Sequence, residues 1–320
     1  MSCSDGTQGP DRCGVHGSMM LLACVFALLL SVAVDGCGGR DQPQSVSTTE
    51  YTVSTATGGI VFDSCRDGNR DIYAMNADGS GETRLTRDVS VDWHPSYSPD
   101  GHRIAFESNR DGDYDIFVMN ADGTGKAKRT HNTAKDGEPS WCSDGQRIAF
   151  TSDRCGQDEI FVMNADGTGQ TRLTRNLATD YLPSWSPDGG RITFVSNRDG
   201  DFDIFVMNAD GSGQTKLTRN TATDWEPDWS PDGQSIAFAS DRDGTFHVFV
   251  MYADGTRQTR LTWTHSGAPA WSPDGQRIAY VDCRDGHPEV FVMKADGTGR
   301  QTRLTRSGTC NHQPDWCPVP

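Results

Sequence analysis

The chain has 320 residues, a formal net charge of −15 and only 34% apolar residues. The acidic balance argues against the basic surface that nucleic-acid-binding proteins present to phosphates, and the low apolar content argues against a single thick hydrophobic core. With 35 glycines and 15 prolines, but also eight tryptophans and thirteen phenylalanines, the composition favours many thin sheets joined by polar turns.

The N-terminal part of the chain is typical of an exported protein. Residues 19–34 form a long apolar run of sixteen residues, which as a helix would rise about 24 Å, less than the roughly 30 Å hydrocarbon core of a bilayer. This length matches the apolar region of a signal peptide. We therefore predict a signal peptide of lipoprotein type over residues 1–36 and a flexible, Ser/Thr-rich tether over residues 37–57.

The segment Val34-Asp35-Gly36-Cys37 directly follows the apolar run. It resembles a bacterial lipobox, whose cysteine becomes the lipidated first residue of the mature protein, although Asp35 departs from the small or β-branched residue usual there. The resemblance predicts an exported protein, periplasmic or at the outer surface, that meets the membrane only through a lipid on Cys37. Cleavage by the ordinary signal peptidase and an uncleaved anchor are the alternatives, and Met19 or Met20 is an alternative start of translation.

From residue 58 onward, a unit of about 44 residues repeats six times. Its most recognisable segment ends in ADG and recurs at 71–79, 115–123, 159–167, 203–211, 247–255 and 289–297. Each unit contains four strand-like segments, and Asp-Gly between apolar segments favours antiparallel hairpins. The pattern predicts an all-β, six-bladed β-propeller with four antiparallel strands in each blade, over residues 58–320.

The two ends of the repeat region predict how the ring closes. The first unit begins at its second strand, Gly59 to Phe62, and the segment Pro314-Asp315-Trp316 near the C-terminus supplies the missing first strand. We expect the C-terminal strand to pair beside residues 60–62 and complete the first blade, because closure removes an exposed sheet edge.

The motifs SPDG, RDG, DIFVMNADG and LT recur through all six units. Together they resemble the WD40-like (PD40) repeats of the TolB-like propellers of the bacterial envelope. The resemblance covers roughly residues 58–318 and is confined to the propeller, so the family's partner-docking residues are not transferred to this chain.

The inner strand of each unit opens on a proline, and the three residues before it are expected to surround the mouth of the central channel. This mouth lies on the face that carries the RDG loops and the inter-blade loops, where the six units differ most. We predict that it binds a cation, a basic peptide or a sugar. The candidate binding residues are Asp92, Trp93, Asp136, Glu138, Asp180, Tyr181, Asp224, Trp225, Glu226, Asn311 and His312.

A structural interpretation competes with these site predictions. Each aspartate could cap its own loop, as aspartate often does in turns.

Alternating oxygen ligands at 109–115 and 197–203 suit calcium, but the distal bidentate Glu of a calcium loop is missing, so no cofactor is expected. The recurring Tyr97, Trp141, Trp185, Trp229, Trp271 and Trp316 are expected to pack between blades.

Six cysteines follow Cys37, and their positions test the predicted compartment. Cys65, Cys283 and Cys310 are expected on the same face near the junction of the first and last blades, where one disulfide among the three would suit an oxidising compartment. Cys142 and Cys155 are expected near opposite faces of one blade, beyond disulfide reach.

The sequence favours a monomeric, non-enzymatic scaffold in the cell envelope that docks a protein or peptide, basic in one version of this hypothesis, on the inter-blade-loop face and channel mouth. No catalytic residues are predicted, because the chain has neither a Gly-x-Ser-x-Gly nor a His-Glu-x-x-His motif. The alternative is a carbohydrate- or peptide-directed hydrolase or lyase with its site at the channel mouth.

Overall fold

The computed structural model describes residues 59–318, and every regular element in this range is a β-strand. The predicted signal peptide, the tether and Cys37 lie outside the described residues. Within residues 59–318, no helix offers an apolar stretch that would cross a bilayer.

The strands fall into six sheets, which we number as blades in chain order. Blade 1 begins with β1 (Gly59–Ser64), β2 (Asp71–Asn76) and β3 (Thr83–Arg84). Blade 2 contains β4 (Asp92–Tyr97), β5 (Arg103–Ser108), β6 (Asp115–Asn120) and β7 (Ala127–Lys128), and blade 3 contains β8 (Asp136–Trp141), β9 (Arg147–Ser152), β10 (Glu159–Asn164) and β11 (Thr171–Arg172). Blade 4 contains β12 (Asp180–Trp185), β13 (Arg191–Ser196), β14 (Asp203–Asn208) and β15 (Thr215–Lys216), and blade 5 contains β16 (Asp224–Trp229), β17 (Ser235–Ser240), β18 (His247–Tyr252) and β19 (Thr259–Arg260). Blade 6 contains β20 (Ser266–Trp271), β21 (Arg277–Asp282), β22 (Glu289–Lys294) and β23 (Thr302–Arg303), and the last strand is β24 (Asn311–Trp316).

Blade 1 is built from both ends of the described chain. Its strand order is β24-β1-β2-β3, and β24 runs antiparallel to β1 with Ile60 opposite Trp316 and Val61 opposite Asp315. The other five blades each consist of four consecutive strands. The predicted six-bladed propeller and its closure by the C-terminal strand are therefore confirmed.

The hydrophobic core lies between neighbouring blades. Val61 and Ile72 of blade 1, for example, pack against Tyr97, Ile104 and Phe106 of blade 2. The recurring aromatic residue that ends each inner strand takes part in these contacts, as predicted: Trp141 is 7% exposed and packs on blade 2. Each sheet thus contributes a thin layer to a shared core, which is why so few apolar residues suffice.

Many of the acidic residues serve the turns of the face opposite the RDG loops, which we call the turn face. In the ADG turn of blade 1, the Asp78 carboxylate accepts hydrogen bonds from the backbone N–H of Ser80 at 2.9 Å and from its hydroxyl at 2.6 Å. These hydrogen bonds lower the pKa of Asp78. Gly79 has a φ of 84°, and a Cβ atom there would meet the Leu304 carbonyl oxygen at 2.9 Å, so glycine is required.

A disulfide between Cys65 and Cys310 joins the end of β1 to the residue before β24, with a Cα–Cα distance of 5.5 Å. The backbone N–H of Cys65 also donates to the Cys310 carbonyl at 3.1 Å. This disulfide is one of the pairings that the sequence left open. Cys142 is buried and Cys155 is exposed, and both are free thiols, as expected from their places in the blade.

Candidate functional site

Each inner strand contains a bulge that turns one side chain toward the channel. In blade 2, His94 and Pro95 together oppose the single residue Phe106 of β5. The residue before the proline has a positive φ of 47–55° in all six blades, a left-handed conformation that is costly for residues other than glycine. These six residues are His94, Glu138, Leu182, Glu226, Ala268 and Gln313.

The six bulges surround a cavity of about 130 Å³ on the propeller axis. Its wall consists of the residue before each proline, the proline itself and the residue after it. The ionisable groups in this wall are His94, Glu138, Glu226, Asp228 and Asp315. Four of these five groups are carboxyls, so the channel has an acidic character.

The left-handed backbone at Ala268 allows a direct test of this strain. We expect Ala268→Gly to stabilise the fold by about 0.5 kcal/mol, because relief of the positive φ outweighs the extra backbone entropy of glycine. Ala268→Val should instead cost about 2 kcal/mol or more, since a β-branched residue tolerates this conformation poorly. Chemical denaturation of the unmodified chain and of the two variants measures both changes in the free energy of unfolding. Equal stability of all three proteins would show that the backbone at Ala268 is not strained.

The four predicted mouth aspartates do not converge on the channel. Each is fully buried and paired with the arginine of its own blade's RDG loop, or of the equivalent Arg-Cys-Gly loop in blade 3. The pairs are Asp92 with Arg110 at 3.1 Å, Asp136 with Arg154 at 2.8 Å, Asp180 with Arg198 at 3.0 Å and Asp224 with Arg242 at 3.0 Å. The structure therefore does not bring these four carboxylates together in a shared acidic rim.

The remaining partners of these aspartates show that they organise loops. Asn220 donates to the Asp224 carboxylate at 2.7 Å and accepts the N–H of Ala222 at 2.6 Å. In blade 1, the predicted site residue Asn311 stands where blades 2 to 5 have the aspartate. It likewise accepts a hydrogen bond from the loop arginine, Arg66, at 2.8 Å. The loop-capping alternative describes these positions better than ligand binding does.

The carboxylates that end the two calcium-like loops are also engaged. Asp115 pairs with Lys128 at 2.6 Å and accepts from the Thr130 hydroxyl, and Asp203 pairs with Lys216 at 2.5 Å. In residues 59–318, no group of three or more His, Cys, Asp or Glu side chains is placed to hold a metal ion.

One side of the mouth, in blades 1 to 3, is ionic. His94 Nδ1 lies 3.2 Å from Glu107 Oε2, and the same oxygen accepts the N–H of Glu138 at 3.2 Å. Burial opposes both charges, but the hydrogen bond and mutual attraction outweigh it, so the pKa of His94 is raised and that of Glu107 is lowered. Behind this pair, Asp63 lies 3.5 Å from Arg70.

The predicted site residue His312 lies on the same ionic side of the mouth, but its imidazole ring is uncharged. Burial, together with the positive charges of Arg70 and His94, lowers the pKa of His312 to about 3. His312 therefore contributes a neutral ring beside β1. Trp93, which lies next to it in the ring of blades, stacks beneath Arg70 with the guanidinium carbon 4.9 Å from the ring centroid.

The other side of the mouth, in blades 4 and 5, is aromatic. Tyr181 meets Phe202 and Trp225 edge-on at centroid distances of 5.5 and 5.8 Å, and Trp225 contacts Phe246 at 6.0 Å. Tyr181 and Trp225 are 6% and 7% exposed, so most of their surface supports the fold. Glu226 lies below them in the channel wall and accepts the N–H of Ala268 at 2.6 Å.

Sequence reasoning missed the position that precedes the third strand of each blade. It contributes Arg70 and Tyr114 to the ionic side and Phe202 and Phe246 to the aromatic side. A signal was present in the sequence, because this position varies between units while the next residues repeat. In the six units it contains Arg70, Tyr114, Asp158, Phe202, Phe246 and Pro288.

Comparison with known proteins agrees with this architecture. The TolB of Acinetobacter baumannii has a crystal structure with a TM-score of 0.74 and 21% identity, over 82% of this chain and 67% of that one. The structure of a TolB from Agrobacterium tumefaciens matches with a TM-score of 0.65 and 24% identity, over 78% of this chain and 88% of the other. At these identities the likeness shows the fold alone.

The sequence itself matches in two further ways. The Tol-Pal system protein TolB of Geobacter sulfurreducens is 42% identical over 48 residues, which are 15% of this chain and 11% of that protein. The aligned segment is thus a small part of that relative. Residues 51–129, 109–182 and 175–266 match the family model described as PD40, TolB beta propeller domain, and together span more than half of the chain. The chain therefore belongs to the PD40 family of TolB-type β-propeller domains.

Proposed function

We propose that this protein is a non-enzymatic scaffold of the cell envelope that binds a partner protein on the face carrying the RDG and inter-blade loops, the loop face. The observation that carries the proposal is the loss of sixfold symmetry at the channel mouth on this face. Blades 1 to 3 place an ionic cluster there, and blades 4 and 5 an aromatic cluster. The turn face instead repeats nearly the same capped Asp-Gly turns.

The chemistry of the mouth favours a partner with basic and apolar groups. The channel wall contributes four carboxyls, and the aromatic rings flank them on one side. Exposed apolar side chains lie on two of the inter-blade loops, where Val89 and Leu177 are 97% and 98% exposed. Burial of such apolar tips against a partner would add to affinity, while the acidic channel would select for positive charge.

Location in the envelope rests on the predicted export signal and on the Cys65–Cys310 disulfide, since disulfides persist in oxidising compartments. The name of the Geobacter relative assigns that protein to the Tol-Pal system. We extend an envelope role, and no specific partner, from that relative to this chain. The predicted lipid at Cys37 and the monomeric state remain part of the same proposal.

For the enzymatic alternative, His94 is a poor general base. Its raised pKa favours the protonated form, which cannot accept a proton. Glu107, the partner of His94, is already occupied by two hydrogen bonds. We therefore do not assign a reaction to this pair.

Photo-crosslinking in cells tests the proposed docking face. A photoreactive amino acid at Val89 or Leu177 should yield an adduct with a partner protein, because both positions project from the loop face. The matched controls are Gln146 and Gln234, which are exposed on the turn face. Adducts from the controls alone would overturn the assignment of the face.

The captured partner then permits a test of the mouth. Glu226→Gln keeps an oxygen for the Ala268 N–H but removes the ionisable carboxyl from the channel wall. We expect about tenfold weaker binding, equivalent to about 1.4 kcal/mol, by calorimetry. Unchanged affinity for both Glu226→Gln and Glu138→Gln would remove the acidic channel from the binding site while leaving the docking face intact.

A further inference from the structure

One position between neighbouring blades breaks the sequence repeat. Directly after the short outer strand, five of the six units have a leucine whose backbone lies against the ADG turn of the next blade. These leucines are Leu85, Leu173, Leu217, Leu261 and Leu304, and four of them are only 4–6% exposed. Blade 2 has Arg129 instead. A charged side chain therefore stands where the other units make an apolar contact.

The backbone at Arg129 is the same as at the leucines, so only the side chain differs. The N–H of Arg129 donates to the Ile116 carbonyl at 2.7 Å, as that of Leu217 donates to the Ile204 carbonyl at 2.8 Å. Within residues 59–318, the buried Nε of Arg129 has no hydrogen-bond partner, and its guanidinium takes part in no ion pair. A buried donor without an acceptor is costly, which points to a ligand that supplies one.

Arg129 lines a cleft of about 490 Å³ between blades 2 and 3, which shares no residue with the channel wall. Arg103 lines the same cleft. It stacks on Trp141, with its guanidinium carbon 4.5 Å from the ring centroid, and donates from Nη2 to the Gly145 carbonyl at 3.2 Å. These contacts hold the guanidinium in place and leave others of its N–H groups available to a ligand.

Among the described residues, Asp166 contributes the one carboxylate of the cleft, and it is already engaged in its own turn. Its Oδ1 accepts hydrogen bonds from the backbone N–H of Thr168 at 2.9 Å and from the hydroxyl at 2.6 Å. These bonds lower the pKa of Asp166, with a smaller contribution from the charge of Arg129. The equivalent Asp210 makes the same two bonds in a turn that lies against Leu173, so the turn does not need an arginine.

We propose that Arg103 and Arg129 form a binding site for a phosphate monoester in the cleft between blades 2 and 3. Guanidinium groups present pairs of N–H donors that match the oxygens of a phosphate, and they remain charged throughout the physiological pH range. Two arginines suit the nearly doubly negative charge of a monoester better than the single charge of a carboxylate or a phosphodiester. The site does not depend on the proposed docking face, because it shares no residue with the channel mouth.

Calorimetric titration of the purified chain with inorganic phosphate tests the site. We expect saturable binding with a dissociation constant on the order of 1 mM at low ionic strength. Arg129→Leu restores the leucine of the repeat, so the variant should fold, and it should weaken binding at least about tenfold. Absence of saturable binding by the unmodified chain, or undiminished binding by Arg129→Leu, would overturn the proposal.

Two further variants separate a built site from a general effect of charge. Arg175→Leu removes the same charge from an exposed arginine outside the cleft and should leave the affinity for phosphate unchanged. Arg103→Lys keeps the charge but loses the paired N–H donors, and it should weaken binding about threefold or more. Equal weakening by Arg175→Leu and Arg129→Leu, or full affinity in Arg103→Lys, would contradict a site made by these two arginines.

Two other probes determine the class of the ligand. Acetate represents a carboxylate, and dimethyl phosphate represents the phosphodiester of a lipid headgroup. Each should bind at least about tenfold more weakly than inorganic phosphate, since each carries a single negative charge. If dimethyl phosphate binds as tightly as inorganic phosphate and loses affinity in Arg129→Leu, the cleft accepts a lipid headgroup and the assignment of a monoester is wrong. Equal affinity for acetate would likewise rule out selectivity for phosphate.

Discussion

Removal of residues 312–320 should prevent the ring from closing and leave the chain unfolded or aggregated at 37 °C. Trp316 is 3% exposed, stacks beneath Arg277 and donates its indole N–H to the Ala270 carbonyl at 3.1 Å. Loss of one such tryptophan typically costs about 3–5 kcal/mol, a large share of the stability of most domains. The deletion also exposes the edge of β1, a hydrophobic strand that would pair with other chains.

Thermal unfolding and light scattering measure this effect. A chain shortened only by Val319 and Pro320 is the matched control and should behave like the full chain. A synthetic peptide of residues 312–320 added to the truncated protein should restore part of the lost stability, because the contacts of this segment with β1 are hydrogen bonds and apolar packing. A truncated protein that melts at the same temperature as the full chain would show that closure is unimportant.

Replacement of Cys65 and Cys310 by serine should produce the second large loss of folding stability. Their disulfide closes a loop with a sequence separation of 245 residues. Constraint of so long a loop in the unfolded chain is worth about 5 kcal/mol in the chain-entropy model. Replacing both cysteines together leaves neither partner as an unpaired thiol. The melting temperature of the unmodified chain should fall by a similar amount in dithiothreitol, whereas that of the variant should not change.

Cys155→Ser is the matched control for the disulfide. Cys155 is an exposed free thiol on the loop face, and its replacement should change the stability by less than about 0.5 kcal/mol. An equal loss in both proteins would show that the thiol chemistry of Cys65 and Cys310 is irrelevant. Retention of full stability by the double variant would show that the hydrogen bonds between β1 and β24 alone hold the ring closed.

The repeat made the architecture predictable to a degree that few sequences allow. Six copies of one pattern restrict each segment to one strand type, because any error in register would place six sets of apolar side chains in solvent. The position of Trp316 as the missing first strand followed from the same comparison. For these features, local pattern and tertiary structure agree.

The site was only partly predictable, and the buried aspartates show why. A fixed distance from a proline placed Asp136 and Asp224 near the channel mouth, but it could not show that each side chain turns toward its own arginine. The residue next to the proline, such as Glu226, faces the channel because of a bulge and a positive φ, which no simple alternation of strand residues predicts. Arg70 and Phe202 were missed because they precede the regular third strand of a blade. The variation of this position between the six units is the signal that could have identified them.

The amino-acid sequence by itself determined the number of blades, the strand order within them and the closure of the ring, since these depend on periodic patterns that survive in one dimension. Only the tertiary structure decided which backbone amides of the next blade donate to the channel carboxyls of Glu138 and Glu226, and that Cys65 pairs with Cys310. The physical reason is that these properties depend on contacts between blades. Such contacts join residues about 44 or about 245 positions apart, and no local pattern records them.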